Sequence, residues 1–166
     1  MKHFFTLLLA ILLLCPTVAT AKKNDKDMVP QYIIEGAGGS SKSTRAVLVT
    51  IYSKKKDVTD AQLAAAAVHG VLFRNYQDKS FSGGAGATKT GLLSPAQEKE
   101  YVDFFEPFFA NGDYMGYVSF VNTTRRVVKA GGEWKISEEV KVNESELIKL
   151  LNNQGIKTKG NLGSGW

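Results

Sequence analysis

The sequence predicts an α+β domain, with a mixed or antiparallel sheet of about five strands in the order β-β-α-α-β-β-β-α and helices packed largely on one face. Three observations carry this. Short β-branched runs end in Gly, Ser or Lys clusters, and three polar pairs spaced for helix caps stand before apolar helical patterns. The helices are also not interleaved one per strand, which argues against a doubly wound parallel sheet.

The elements follow in chain order. Tyr32-Ile33-Ile34 is a β run ending in Gly36-Ala37-Gly38-Gly39-Ser40-Ser41, and residues 46–52 (AVLVTIY) make a second strand stopped by Lys54, Lys55 and Lys56. The glycine-serine loop between them predicts a hairpin. Thr59 with Gln62 forms a capping box, and Leu63, Ala66, Ala67, Gly70, Val71 and Arg74 trace one stripe of a helix over residues 60–74. Its small side chains let a backbone lie close to a sheet. Residues 80–91 read as a Gly/Thr loop.

Ser94 as cap, Pro95 at the first helical position and Gln97 open the next helix. Tyr101, Phe104, Phe105 and Phe108 give it an apolar stripe, and Pro107 is expected to kink or end it. Residues 114–121, 125–130 and 134–142 read as three strands, the last two joined through Gly131-Gly132. Asn143 and Glu146 open a last helix that stops near Gly155.

The chain has 166 residues, enough for one domain. Its ends carry different information. Lys2 and His3, the apolar run from Phe4 to Cys15, and Ala19-Thr20-Ala21 before Lys22 read as a signal peptide over residues 1–21. The apolar run is too short to span a bilayer. Residues 22–29 form a charged leader, residues 30–156 the single α+β domain, and residues 157–166 a glycine-rich tail. Lipid anchoring through Cys15 is not expected, because Leu12-Leu13-Leu14 lacks the small residue such processing prefers and Pro16 follows. Export to the periplasm, the cell surface or the medium is the expected fate, with no transmembrane segment in the mature chain.

Removing residues 1–21 leaves 20 basic against 16 acidic residues, a net charge of +4, with no cysteine and one histidine, His69. The core must then hold without disulfides. A metal at His69 would have carboxylates alone for its other ligands, and a Ser-His-Asp site has one available base and no G-x-S-x-G turn. A packing role is expected for His69, and no cofactor or metal.

Residues 36–44 almost spell a phosphate-binding loop, but Ser41 stands where a glycine is needed and a strand follows instead of a helix. Residues 83–90 repeat the near miss with Thr88. Among the acids, Asp103 and Glu106 stand at i, i+3 and can meet on a helix, whereas Glu98 and Glu100 cannot. A solvated face opposite the Phe stripe, with the early acids complementing the helix dipole, is the favoured reading of them.

Basic and aromatic residues interleave at Tyr114, Tyr117, Arg125, Arg126, Lys129, Trp134 and Lys135, and Trp166 closes the sequence. Such a mixture can stack rings and hold anions, and with Trp166 these residues are the candidate binding set. Nucleic acid is not the expected partner at a net charge of +4.

The combination of Ile34-Glu35-Gly36-Ala37-Gly38, Ala67-Val68-His69-Gly70-Val71-Leu72-Phe73, Phe104-Phe105-Glu106-Pro107-Phe108-Phe109 and Gly160-Asn161-Leu162-Gly163-Ser164-Gly165-Trp166 resembles a group of small exported proteins of Bacteroidota gut bacteria. The resemblance spans nearly all of the mature chain and implies a source and a compartment, with no site residues. A looser similarity, to lipoprotein-20-like and flagellar-assembly envelope domains, rests on residues 34–38 and 63–72.

These readings converge on a noncatalytic exported module that binds a protein or envelope component. The alternatives are a carboxylate-based acid/base hydrolase using Asp103 and Glu106, and a secreted polyanion-binding protein.

Overall fold

The computed structural model describes residues 29–78, 87–121 and 123–159. The expected signal peptide and Trp166 lie outside them. The fold is α+β, as the sequence predicts, and the sheet is mixed and open.

Strand β1 (Tyr32–Gly36) and strand β2 (Thr44–Ser53) form the expected antiparallel hairpin, with Tyr32 opposite Ile51 and Gly36 opposite Val47. Helix α1 (Asp60–Phe73) follows, then short strands β3 (Tyr76–Asp78) and β4 (Ala87–Lys89). Helices α2 (Pro95–Glu100) and α3 (Val102–Ala110) lead into a 3₁₀ turn, Asp113–Tyr117. Strands β5 (Val118–Phe120), β6 (Arg126–Ala130) and β7 (Glu133–Asn143) precede helix α4 (Glu144–Asn153).

The sheet order is β4-β3-β1-β2-β7-β5, and β6 also pairs with β7. Every pairing is antiparallel except β1 with β3, where Gly36 meets Asp78. Seven strands thus replace the expected five or so. The additional β3 and β4 have three residues each, too few for an alternating pattern to register.

Residues facing each other across antiparallel strands share a side of the sheet. Val47, Val49 and Ile51 of β2, with Ile136, Val140 and Val142 of β7, point into the core. Helix α1 packs against this side, with every residue from Leu63 to Phe73 buried. Burial all round the helix exceeds the single stripe expected from the sequence. Its far side is covered by the 3₁₀ turn and by the Phe layer of α3.

Two further local departures have identifiable causes. The Phe-rich helix divides at Tyr101, not at Pro107, which lies inside α3 while Phe105, Phe108 and Phe109 bury into the core. The strand expected over residues 114–121 begins only at Val118, because Gly112, at φ 79°, turns the chain into the 3₁₀ segment and Tyr114 packs on Phe109. The capping boxes of α1 and α2 form fully. At α4, Asn143 caps the Glu146 N–H, while the Glu146 side chain pairs with Lys149.

Candidate functional site

His69 lies near the end of α1, next to Gly70. A Cβ at Gly70 would overlap the end of the Ile34 side chain of β1 and come within 3.3 Å of the Tyr32 ring, so the glycine leaves the space these two side chains occupy against the helix. The Tyr32 hydroxyl thereby reaches His69 Nδ1 at 2.6 Å.

The other ring nitrogen is positioned by the chain after β4. Gly91 crosses the end of α1 so closely that a Cβ would fall 2.8 Å from the Phe73 carbonyl carbon. This crossing places the Leu92 and Leu93 N–H groups on the Val71 and Leu72 carbonyls, at 3.1 and 2.7 Å, satisfying acceptors the helix leaves free. The next residue, Ser94, caps α2, and Glu98 on that helix meets His69 Nε2 at 2.8 Å.

The proton positions follow from the inventory of donors. An ionised carboxylate only accepts, so Nε2 carries the hydrogen toward Glu98 and Nδ1 of the neutral ring accepts from the Tyr32 O–H. Burial lowers the pKa of His69 below its ordinary 6.5, and Glu98 pulls it partly back. Burial pushes the Tyr32 hydroxyl up to about 12, with Arg74 opposing the shift and Glu98 adding to it. Tyr32 and His69 are therefore both uncharged at neutral pH, and neither imidazole nitrogen is free.

Tyr32, His69 and Glu98 line a cleft of about 870 Å³. Phe73, Phe105, Phe109 and Val102 supply apolar wall, while Arg74, Asn75, Gln31 and Glu106 add polar groups. The Phe73 and Phe109 rings lie 5.1 and 5.9 Å from the imidazole, centroid to centroid. A cleft of this size, apolar with a few fixed polar groups, suits a small ligand or one side chain of a partner. Among the described residues, no group of three His, Cys, Asp or Glu side chains converges as a metal-binding set would.

The sequence-derived binding set is placed elsewhere and is divided. Tyr114 is buried in the aromatic core, and Tyr117 is half-buried 6.0 Å from Phe108. Arg125 is committed to Glu138 at 2.5 Å and Asp60 at 2.6 Å. Arg126 and Lys129 are exposed on β6, and Lys129 lies over the Trp134 ring at 5.9 Å, with Lys56 also over that ring at 5.7 Å. Of the expected acid pair, Glu106 lines the cleft and Asp103 is exposed outside it.

Sequence reasoning weighed His69 and Glu98 separately and did not single out Tyr32. The one available signal was the inward alternation of Tyr32 with Ile34 opposite the glycine-bearing helix. No protein-family model, curated protein or solved structure matches the chain. Among the described residues, no helix is long and apolar enough to cross a membrane.

Proposed function

We propose that the protein is an exported, noncatalytic binding module of the cell envelope or its surroundings, and that the cleft above Tyr32, His69 and Glu98 receives its ligand. The observation that carries this reading is the double engagement of the imidazole. A general base needs a free nitrogen facing substrate, and here both nitrogens are held by side chains of the fold. The Tyr32 hydroxyl, with its raised pKa, stays protonated and is a weak nucleophile. What the cleft offers is shape, aromatic surface and oriented hydrogen-bonding groups.

The experiment has two arms. Native mass spectrometry of protein recovered from an exporting host reports a retained small molecule, and assays on generic ester, peptide and glycoside substrates report turnover. The reading predicts a bound species that is lost when Val102→Trp fills the cleft, and no turnover that depends on His69. Reproducible turnover abolished by His69→Ala contradicts it.

A second reading has one specific observation in its favour: Glu98 and Glu106 both line the cleft. A carboxylate-based hydrolase built on these two acids predicts a bell-shaped pH profile lost in either Gln variant.

A further inference from the structure

The side of the sheet opposite the helices carries a second surface. Ile51 and Ile136 point into the core, so their neighbours Tyr52 and Lys135 point outward, and they lie directly opposite each other. Val128 of β6 faces Lys135 from the other edge, giving a row of Tyr52, Lys135 and Val128 across three strands. The adjacent row runs from Ile33 through Thr50 and Ser137 to Arg126. Lys54, Lys55 and Lys56 follow immediately where β2 ends at Ser53.

Two properties coincide here. Ile33, Tyr52 and Val128 are 51%, 43% and 57% exposed, large values for apolar side chains on a sheet. Lys54, Lys55, Lys135 and Arg126 are also exposed, and none of them forms an ion pair among the described residues, whereas Arg45, Arg125 and Lys149 each do; Lys56 lies over the Trp134 ring, which packs on the core side. The acids of this side flank the two rows, Glu35 and Glu139 across Leu48 at one end and Glu133, two residues before Lys135 on β7, at the other.

A dissolved polyanion would engage the cations and leave the three apolar side chains in water. An anionic bilayer uses both: its headgroup phosphates meet the ammonium and guanidinium groups, while the apolar side chains enter the boundary between headgroups and acyl chains. The geometry points to a peripheral docking surface for anionic lipid headgroups on the outer side of β2, β7 and β6. This inference rests on the reading of the protein as an exported envelope module, for which such a surface holds the domain against a membrane.

Co-sedimentation of the protein produced by an exporting host tests it, using vesicles of phosphatidylcholine alone and vesicles containing phosphatidylglycerol. Binding is expected on the anionic vesicles only and weakens as salt is added. The double variant Lys54→Gln/Lys135→Gln is expected to lose roughly 30-fold in vesicle affinity, and Tyr52→Ser/Val128→Ser to weaken binding while keeping its salt dependence. All four side chains are exposed, and a melting curve for each variant confirms that the fold is retained.

Equal binding to neutral vesicles overturns the inference, as does binding that neither double variant changes. Capture by dextran sulfate without vesicle binding also overturns it, in favour of a soluble polyanion. The cleft is assayed separately. Loss of vesicle binding with a retained cleft ligand removes only the docking surface, and His69-dependent turnover removes only the noncatalytic reading.

Discussion

The Tyr32 hydroxyl and the Nδ1 atom of His69 stand 2.6 Å apart, joining the first strand to the central helix across 37 positions of sequence. Glu98 on the other nitrogen sets the tautomer, because its carboxylate accepts the Nε2 hydrogen and leaves Nδ1 to accept from Tyr32.

Removing that hydroxyl tests its structural value. Tyr32→Phe keeps the ring and leaves a buried acceptor without its donor, so a loss of about 1–3 kcal/mol is expected in urea unfolding. An unchanged midpoint would mean that solvent satisfies Nδ1.

The lowered pKa of His69 gives the protein an acid-side dependence. Between the folded-state pKa and 6.5, the unfolded chain binds a proton that the folded one refuses, so stability rises with pH across that window and falls on acidification through it. At the alkaline end the unfolded chain releases the Tyr32 proton near 10 while the folded chain keeps it up to about 12, so stability declines as pH climbs through that interval. Thermal melts of the protein and of His69→Gln over the acid range check the first claim, and the variant is expected to show the shallower acid slope.

Gly91 and Gly116 make opposite predictions from the same substitution. Alanine at Gly91 drives a methyl group into the Phe73–Arg74 backbone and pushes α2, with Glu98, away from His69. The expected cost is about 1–3 kcal/mol. Gly116 has open space around its Cβ position and no positive φ, so alanine there is expected to stabilise by about 0.4–1 kcal/mol, through the unfolded chain. Paired denaturation curves separate the two.

Glu138 points into the core side of the sheet and is 7% exposed, with Arg125 as its cation. Arg125→Ala strands that carboxylate. The expected loss is about 2 kcal/mol, below the roughly 3–5 kcal/mol of a wholly buried pair because the Arg125 side chain is about one-third exposed. Replacing both residues with apolar side chains is expected to recover most of it.

Local signals in the sequence account for much of the fold and little of the site. The Thr59/Gln62 and Ser94/Gln97 pairs locate two helix starts because a capping box is confined to four residues. The β1–β2 hairpin is equally legible, since its glycine-serine loop lies between two β-branched runs. The break at Tyr101 and the 3₁₀ turn depend on how aromatic rings pack between helices, which no local pattern records. The cleft is less legible still, for Tyr32, His69 and Glu98 are 37 and 29 residues apart. They meet because Gly70 leaves room for the Ile34 and Tyr32 side chains and Gly91 lets one backbone cross another, and the sequence marks Gly91 no differently from its loop neighbours. The same holds for Arg125, whose commitment to Glu138 and Asp60 appears only once the strands are paired.

The most direct measurement is a ¹⁵N-resolved NMR titration of the His69 ring. An imidazole held between Tyr32 and Glu98 is predicted to be neutral at pH 7, to carry its proton on Nε2, and to titrate below 6.5. A ring protonated on Nδ1, or one that titrates at or above 6.5, would contradict the neutral, doubly held imidazole from which the proposed binding role is argued.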